Sequence, residues 1–185
     1  MLLDAFCKNG TIPIEAAFIS LKLSPRNEEM LWQRFNIFKT HSNALQVLEF
    51  FRSQGLKSFD GKILGVDALL SNIVSSRRNA KIARVEKHVT FTRMDLDWLE
   101  LKLGCESIDF FVSNIPRLDV QNLGELAYQL QALLKSEGKA LLSMSFNDEY
   151  VEKAISLLSK RLVLKEKFEA WTGLKKYVIT KWVKA

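Results

Sequence analysis

The stretch Leu2-Leu3-Asp4-Ala5-Phe6-Cys7-Lys8-Asn9-Gly10-Thr11-Ile12-Pro13-Ile14-Glu15-Ala16-Ala17 constrains this chain more than any other. A short apolar run ends in an acid, passes through a small-residue loop and enters a segment of helical periodicity. That order predicts a strand, a tight turn and a helix. Gly10 supplies the backbone freedom of the turn, Thr11 is placed to cap the helix, and Pro13 falls in its first turn, where a missing N–H costs little. Open α/β sheets bind nucleotides where such a strand is delivered into a helix, at the carboxyl ends of the strands. One glycine does not make a phosphate cradle, so the stretch constrains the fold before it specifies a ligand.

Acid-ended apolar runs recur downstream. Lys62 to Asp67 has the look of a buried parallel strand, Val89 to Asp95 alternates like a strand, and Ser107 to Asn114 forms a fourth, closed by Ile115-Pro116. Helical segments separate them. Ile14, Ala17, Phe18 and Leu21 share one face until Ser24-Pro25. A short helix and a loop are expected between Arg26 and His41, then a helix from Ser42 to Gly55 with Leu45, Leu48 and Phe51 inward and a turn at Phe59-Asp60-Gly61. Further helices are expected over Ser71 to Ala83, Val120 to Ser136 and Asp148 to Lys160. Gly138 is expected to stop the second of these and release a strand from Lys139 to Ser145. Leu162 to Trp171 and Leu174 to Val183 are strand-like runs joined by Thr172-Gly173, a hairpin signal. The alternation predicts a doubly wound α/β sheet closed by an antiparallel pair, in one domain over residues 1–185.

A chain of 185 residues can bury a substantial core, and 48% hydrophobic with 26% charged residues fits a soluble globular class. No apolar run reaches the roughly 18 residues of a membrane span. Asp4 interrupts the N-terminus and no basic region precedes it, which argues against a signal peptide. Cys7 and Cys105 have neither metal-ligand spacing nor a disulfide framework, so no metal and a reducing, cytoplasmic location are expected. The net charge of +6 permits a polyanionic partner without requiring one. Arg77, Arg78, Lys81 and Arg84 cluster on one helix, most simply as a solvated face. Lys165, Lys167, Lys175, Lys176, Lys181 and Lys184 cluster in the hairpin, where edge strands commonly carry lysine. Trp98 and Trp171 are expected to pack, and His41 and His88 have no partners at ligand spacing.

Asp4, Asp67 and Asp95 end successive strands. A carboxylate in that place can accept hydrogen bonds from a ribose diol, although helix capping or solvated strand ends would use the same residues.

The first stretch resembles the opening motif of class I S-adenosylmethionine-dependent methyltransferases. It is most similar to the THUMP-bearing RNA guanine-N2 methyltransferases, whose motif runs roughly D-P-x-C-G-S-G-T-I-x-I-E-A-A. Asp4, Cys7, Gly10, Thr11, Ile12, Ile14, Glu15, Ala16 and Ala17 match; Ala5 replaces the proline, and Lys8-Asn9 replaces the Gly-Ser pair. Those last two positions are where the family's backbone approaches the methionine part of the cofactor. Lys8 could there face solvent, the cofactor's carboxylate or an RNA phosphate. The resemblance implies a Rossmann-like seven-stranded sheet of order 3-2-1-4-5-7-6 and S-adenosylmethionine as cofactor. It places that cofactor against Asp4, Phe6, Gly10 and Thr11, with Asp67 on the ribose hydroxyls beside Ala68, Asp95 and the Leu96 amide bracketing the adenine, and Asn114 nearby.

Ser113-Asn114-Ile115-Pro116-Arg117 resembles the [D/N]-P-P-[Y/F/W] motif of amino-group methyltransferases. In that motif the side-chain carbonyl and a backbone carbonyl accept the two amine protons and orient the nitrogen, while the aromatic stacks on a flipped base. Asn114 and Pro116 are kept, Ile115 replaces the first proline, and Arg117 replaces the aromatic with a planar group that can also stack. Asn79-Ala80 is expected only to pack. The implied function is methyl transfer to a guanine exocyclic N2 of tRNA or rRNA. The THUMP module is not in the sequence, so either a catalytic domain stands without it, alongside a separate RNA-targeting protein, or the chain begins inside a longer one. The alternative, motivated by Lys8, Asn9, Ile115 and Arg117, is a methyltransferase-like domain without catalysis that binds RNA or protein. A nicotinamide enzyme ranks below both, since no G-x-G-x-x-G follows a strand.

Overall fold

A computed structural model describes residues 1–23, 56 and 58–185; the helices expected between residues 26 and 55 lie outside the described residues. Strands β1 (Leu2–Asp4), β2 (Ile63–Asp67), β3 (Thr90–Arg93), β4 (Ile108–Asn114) and β5 (Leu134–Met144) run parallel, and β6 (Leu162–Thr172) and β7 (Lys175–Lys184) form the closing hairpin. One seven-stranded sheet results, in the order β3-β2-β1-β4-β5-β7-β6, with β7 antiparallel to β5. This is the expected doubly wound frame. The helices among the described residues are α1 (Thr11–Ser20), α2 (Leu70–Ile82), α3 (Leu99–Leu103), α4 (Val120–Leu133) and α5 (Asp148–Leu158). None is long and apolar enough to cross a membrane.

Two cores flank the sheet. On one face α1 and α2 bury Ile14, Ala17, Phe18, Ile73 and Ala80 against Ile63 and Phe91. On the other, α4 and α5 bury Leu123, Leu126, Leu130, Val151 and Leu158 against Leu3, Val66, Phe111 and Trp182. Each of the Leu, Ile, Val and Phe side chains contributes about 1.5–3 kcal/mol of burial, so the central strands are fixed from both faces.

The structure corrects several local expectations. Thr11 does not cap α1: Gly10 is the cap residue, at φ 82°, and Thr11 Oγ donates instead to Asn9 Oδ1 at 2.9 Å. Gly138 does not end α4, because the chain turns extended at Leu134 and enters β5 directly. The β4–β5 register steps from Ile108↔Leu134 to Phe110↔Lys139, which folds the intervening β5 residues out. Gly138 belongs there because a Cβ would stand 2.9 Å from the Ile108 carbonyl and 3.0 Å from that of Lys135. Asp95 does not end β3; it lies beyond Arg93, exposed, at the start of a short 3-10 turn. Trp98 and Trp171 do not pack inside, being 48% and 63% exposed.

The hairpin lysines are largely neutralised. Lys167 pairs with Glu152, Lys176 with Asp148 and Glu169, Lys181 with Glu166, and Lys184 with Glu106. Strand register causes part of this, since it sets Glu166 directly opposite Lys181. By contrast Arg78, Lys81 and Arg84 on and after α2 meet no carboxylate among the described residues.

Candidate active site

The carboxyl ends of β1, β2 and β4 bring Asp4, Asp67 and Asn114 to one rim. Asp95 and Leu96 join it from beyond β3, tied in by the Met94 amide, which donates to the Asp67 carbonyl at 3.1 Å.

The β1–α1 loop closes on itself and on α2. The Phe6 amide donates to Asp4 Oδ1 (3.2 Å), that of Cys7 to the Val66 carbonyl (3.0 Å), that of Lys8 to Asp67 Oδ2 (3.0 Å) and that of Gly10 to the Cys7 carbonyl (2.7 Å). From α2, Ser76 Oγ donates to the Lys8 carbonyl (2.9 Å) and Asn79 Nδ2 to the Asn9 carbonyl (2.8 Å). Gly10 is required on two counts, its left-handed φ and the Phe91 ring, whose Cζ would stand 2.9 Å from a Cβ. Lys8 also adopts a left-handed φ, 49°, a conformation that costs a non-glycine residue about 1 kcal/mol. The loop therefore keeps a glycine-like backbone although lysine occupies the position.

Asp67 is the hub. Its Oδ1 accepts from the Leu69 amide and Asn72 Nδ2, both at 3.0 Å, and its Oδ2 accepts only the Lys8 amide among the described residues. One acceptor position on Oδ2 thus remains for a ligand hydroxyl. Asp4 is buried beside it and ties β1 to β4 through Ser113 Oγ, which donates to Asp4 Oδ1 at 2.5 Å. Asp4 Oδ2 accepts nothing among the described residues. Burial pushes the Asp4 carboxyl up to about 6; the Ser113 and Phe6 hydrogen bonds oppose the rise, nearby Asp67 adds to it and Lys8 opposes it. The site thus holds a partly uncompensated acid that a cationic ligand group would relieve. Burial also pushes the Cys7 thiol up to about 12, which removes it as a nucleophile at neutral pH.

On the β4 side, Asn114 is half-buried, and its side-chain amide makes no hydrogen bond among the described residues. Ile115 turns into the core, its amide donating to the Ser143 carbonyl at 3.0 Å, so it faces away from the rim. Pro116 is half-buried, and the exposed Arg117 places its guanidinium 5.4 Å from the Tyr150 ring centre. Tyr150, from the first turn of α5, pins the segment. Its hydroxyl accepts from the Leu118 amide (2.7 Å) and donates to the Leu118 carbonyl (3.0 Å). Phe6 is half-buried at the loop, while Thr11 and Ala68 are exposed; the Ala68 carbonyl accepts from Arg93 Nε at 3.0 Å.

Sequence reasoning missed Asn72, Ser76, Ser113 and Tyr150, and assigned Asn79 only to packing. A signal existed for part of this set: Asn72, Ser76 and Asn79 form a polar stripe at i, i+4 and i+7 of α2. Among the described residues no cluster of His, Cys, Asp and Glu could hold a metal.

A model of the family described as UPF0020, RMKL-like, methyltransferase domain, matches residues 1–168. Ribosomal RNA large subunit methyltransferase K/L of Syntrophotalea carbinolica is 30% identical over 148 residues, 76% of this chain and 20% of that protein. The chain spans 14–20% of the length of the curated relatives it matches. A possible methylase from Clostridium difficile 630 superposes with a TM-score of 0.78 at 24% identity, over 100% of this chain and 48% of that one. SMU.472, solved in complex with SAH, superposes with a TM-score of 0.77 at 18% identity, with the same coverage. These likenesses carry the fold. S-adenosylmethionine is the cofactor that the methyltransferase domain implies, and the donor set fits it. Asp67 Oδ2 keeps a place for a hydroxyl, and Asp4 Oδ2 is an acceptor without a partner among the described residues, suited to an ammonium group.

Proposed function

The chain belongs to the UPF0020 family of RMKL-like methyltransferase domains, and from that premise we propose that it is the methyl-transferring unit of an S-adenosylmethionine-dependent RNA methyltransferase, acting on the exocyclic N2 of guanine in rRNA or tRNA. Asn114 carries this reading: a half-buried amide at the end of β4, uncommitted among the described residues, next to the Asp4–Ser113 bond that fixes its strand.

Asp67 Oδ2 would receive a ribose hydroxyl, Asp95 and the Leu96 amide the adenine edge, and Asp4 Oδ2 the ammonium group; Phe6, Gly10, Thr11 and Ala68 line the same loops. The bound cofactor supplies an electrophilic methyl carbon. Asn114 then contributes orientation, its carbonyl accepting one amine proton of the target base so that the nitrogen lone pair is aimed. The Asp4–Ser113 bond and the Tyr150–Leu118 clasp hold that carbonyl's strand and the following turn in place. Pro116 stiffens the turn, and Arg117 offers a planar cation for stacking on the base. Arg78, Lys81 and Arg84 offer charge to the RNA backbone, and a separate RNA-targeting module or protein would supply register.

Transfer of radiolabelled methyl from S-adenosylmethionine to unmodified rRNA and tRNA transcripts, followed by digestion to nucleosides, tests the reading. Label in N2-methylguanosine is expected, reduced about a hundredfold by Asn114→Ala with cofactor affinity kept. Label in another nucleoside overturns the assigned atom, and an absence of both transfer and cofactor binding overturns the enzyme.

A further inference from the structure

We propose that Lys8 supplies the cation that binds the carboxylate at the amino-acid end of the cofactor. The proposal rests on the cofactor assignment above.

The amides of Phe6, Cys7, Lys8 and Gly10 all donate inward, to Asp4, the Val66 carbonyl, Asp67 and the Cys7 carbonyl. Of the neighbouring amides, those of Asn9, Thr11 and Ile12 at the start of α1 have no partner among the described residues. The acceptors at the rim, Asp4 Oδ2 and Asp67 Oδ2, suit an ammonium and a hydroxyl; a carboxylate placed beside them is repelled unless a cation stands by. Lys8 stands there. Its backbone is clamped on both sides, by Asp67 and by Ser76, in a left-handed conformation that lysine does not favour. Its exposed ammonium pairs with no carboxylate among the described residues, yet its charge reaches Asp4. The zwitterionic end of the cofactor would account for a cation held in this position. One loop would then present an acid to the ammonium and a base to the carboxylate of the same amino-acid group.

Calorimetric titration of the 185-residue chain with S-adenosylmethionine and with its decarboxylated analogue isolates the contact, because the two ligands differ only by the carboxylate. The wild type should favour S-adenosylmethionine. Lys8→Met, which leaves the left-handed strain in place, should weaken S-adenosylmethionine about tenfold and leave the decarboxylated analogue unchanged; Lys8→Arg should restore binding. Equal loss for both ligands would mark Lys8 as a loop-shaping residue and overturn the proposal, as would no loss for either. Failure of the wild type to bind either ligand would instead overturn the cofactor assignment, and the proposal with it.

Discussion

On the β1–β2 side of the rim, a single carboxylate, Asp67, accepts from the Lys8 amide, the Leu69 amide and the Asn72 side chain. On the β4 side, a phenol from another helix, Tyr150, holds the segment after Asn114 by both hydrogen bonds of Leu118. The first arrangement would use one group for architecture and for ligand recognition, so that neither could be altered alone. The second keeps the anchor apart from the group that would meet substrate. Departures from the family motif follow the same division. At Lys8 the side chain differs while the backbone stays left-handed; Ile115 sits in the core, and the exposed Arg117 lies 5.4 Å from the Tyr150 ring centre.

Asp67→Ala should produce the largest change. Losing three acceptor contacts should cost about 3 kcal/mol in urea unfolding, with cofactor affinity falling about a hundredfold in the same protein. If stability fell no further than in Tyr150→Phe, the contrast between the two sides would collapse. Asp4 sharpens it through pH. Its folded pKa of about 6 lies above the ordinary 3.8, so between those values the folded state binds more protons than the unfolded one, and stability falls as pH rises. The full span amounts to about 3 kcal/mol. In denaturation across pH 3 to 8, Asp4→Asn should match the wild type at the acid end, lack that decline and be the more stable protein above pH 6, while binding cofactor more weakly. Equal slopes for the two proteins would remove Asp4 as the source. Tyr150→Phe should cost about 1.5 kcal/mol and slow methyl transfer without changing cofactor affinity; a loss of affinity would mean that the two sides are coupled. Arg117→Ala should be the mildest, within about 1 kcal/mol in thermal unfolding, because an exposed cation–π contact contributes little.

The topology was legible because its signals are local and repeated. The apolar face Ile14, Ala17, Phe18 and Leu21, the acid-ended runs and the Thr172-Gly173 link each declared an element, and alternation ordered them. The position of a candidate residue was legible where a strand end fixes it, as at Asp4, Asp67 and Asn114. It was hidden where a role depends on register or on a distant helix. The Gly138 fold-out exists only against the Ile108 carbonyl, Lys181 finds Glu166 only once the hairpin is paired, and Tyr150 acts on a loop 32 residues away. Apolar character misled at Trp98 and Trp171, because composition says that a large ring should be buried without saying whether the sheet reaches it.

The outer strand β6 carries its charges on both faces: Glu166 bound to Lys181, Lys167 to Glu152, Glu169 to Lys176. Solvated pairs of this kind add little to folding, about 0–1 kcal/mol each. Their larger consequence is intermolecular. A second polypeptide that tried to extend the sheet along this eleven-residue margin would have to strip water from those charges before gaining a ladder bond. The same pairs that barely steady the fold thus raise a barrier to sheet-to-sheet aggregation.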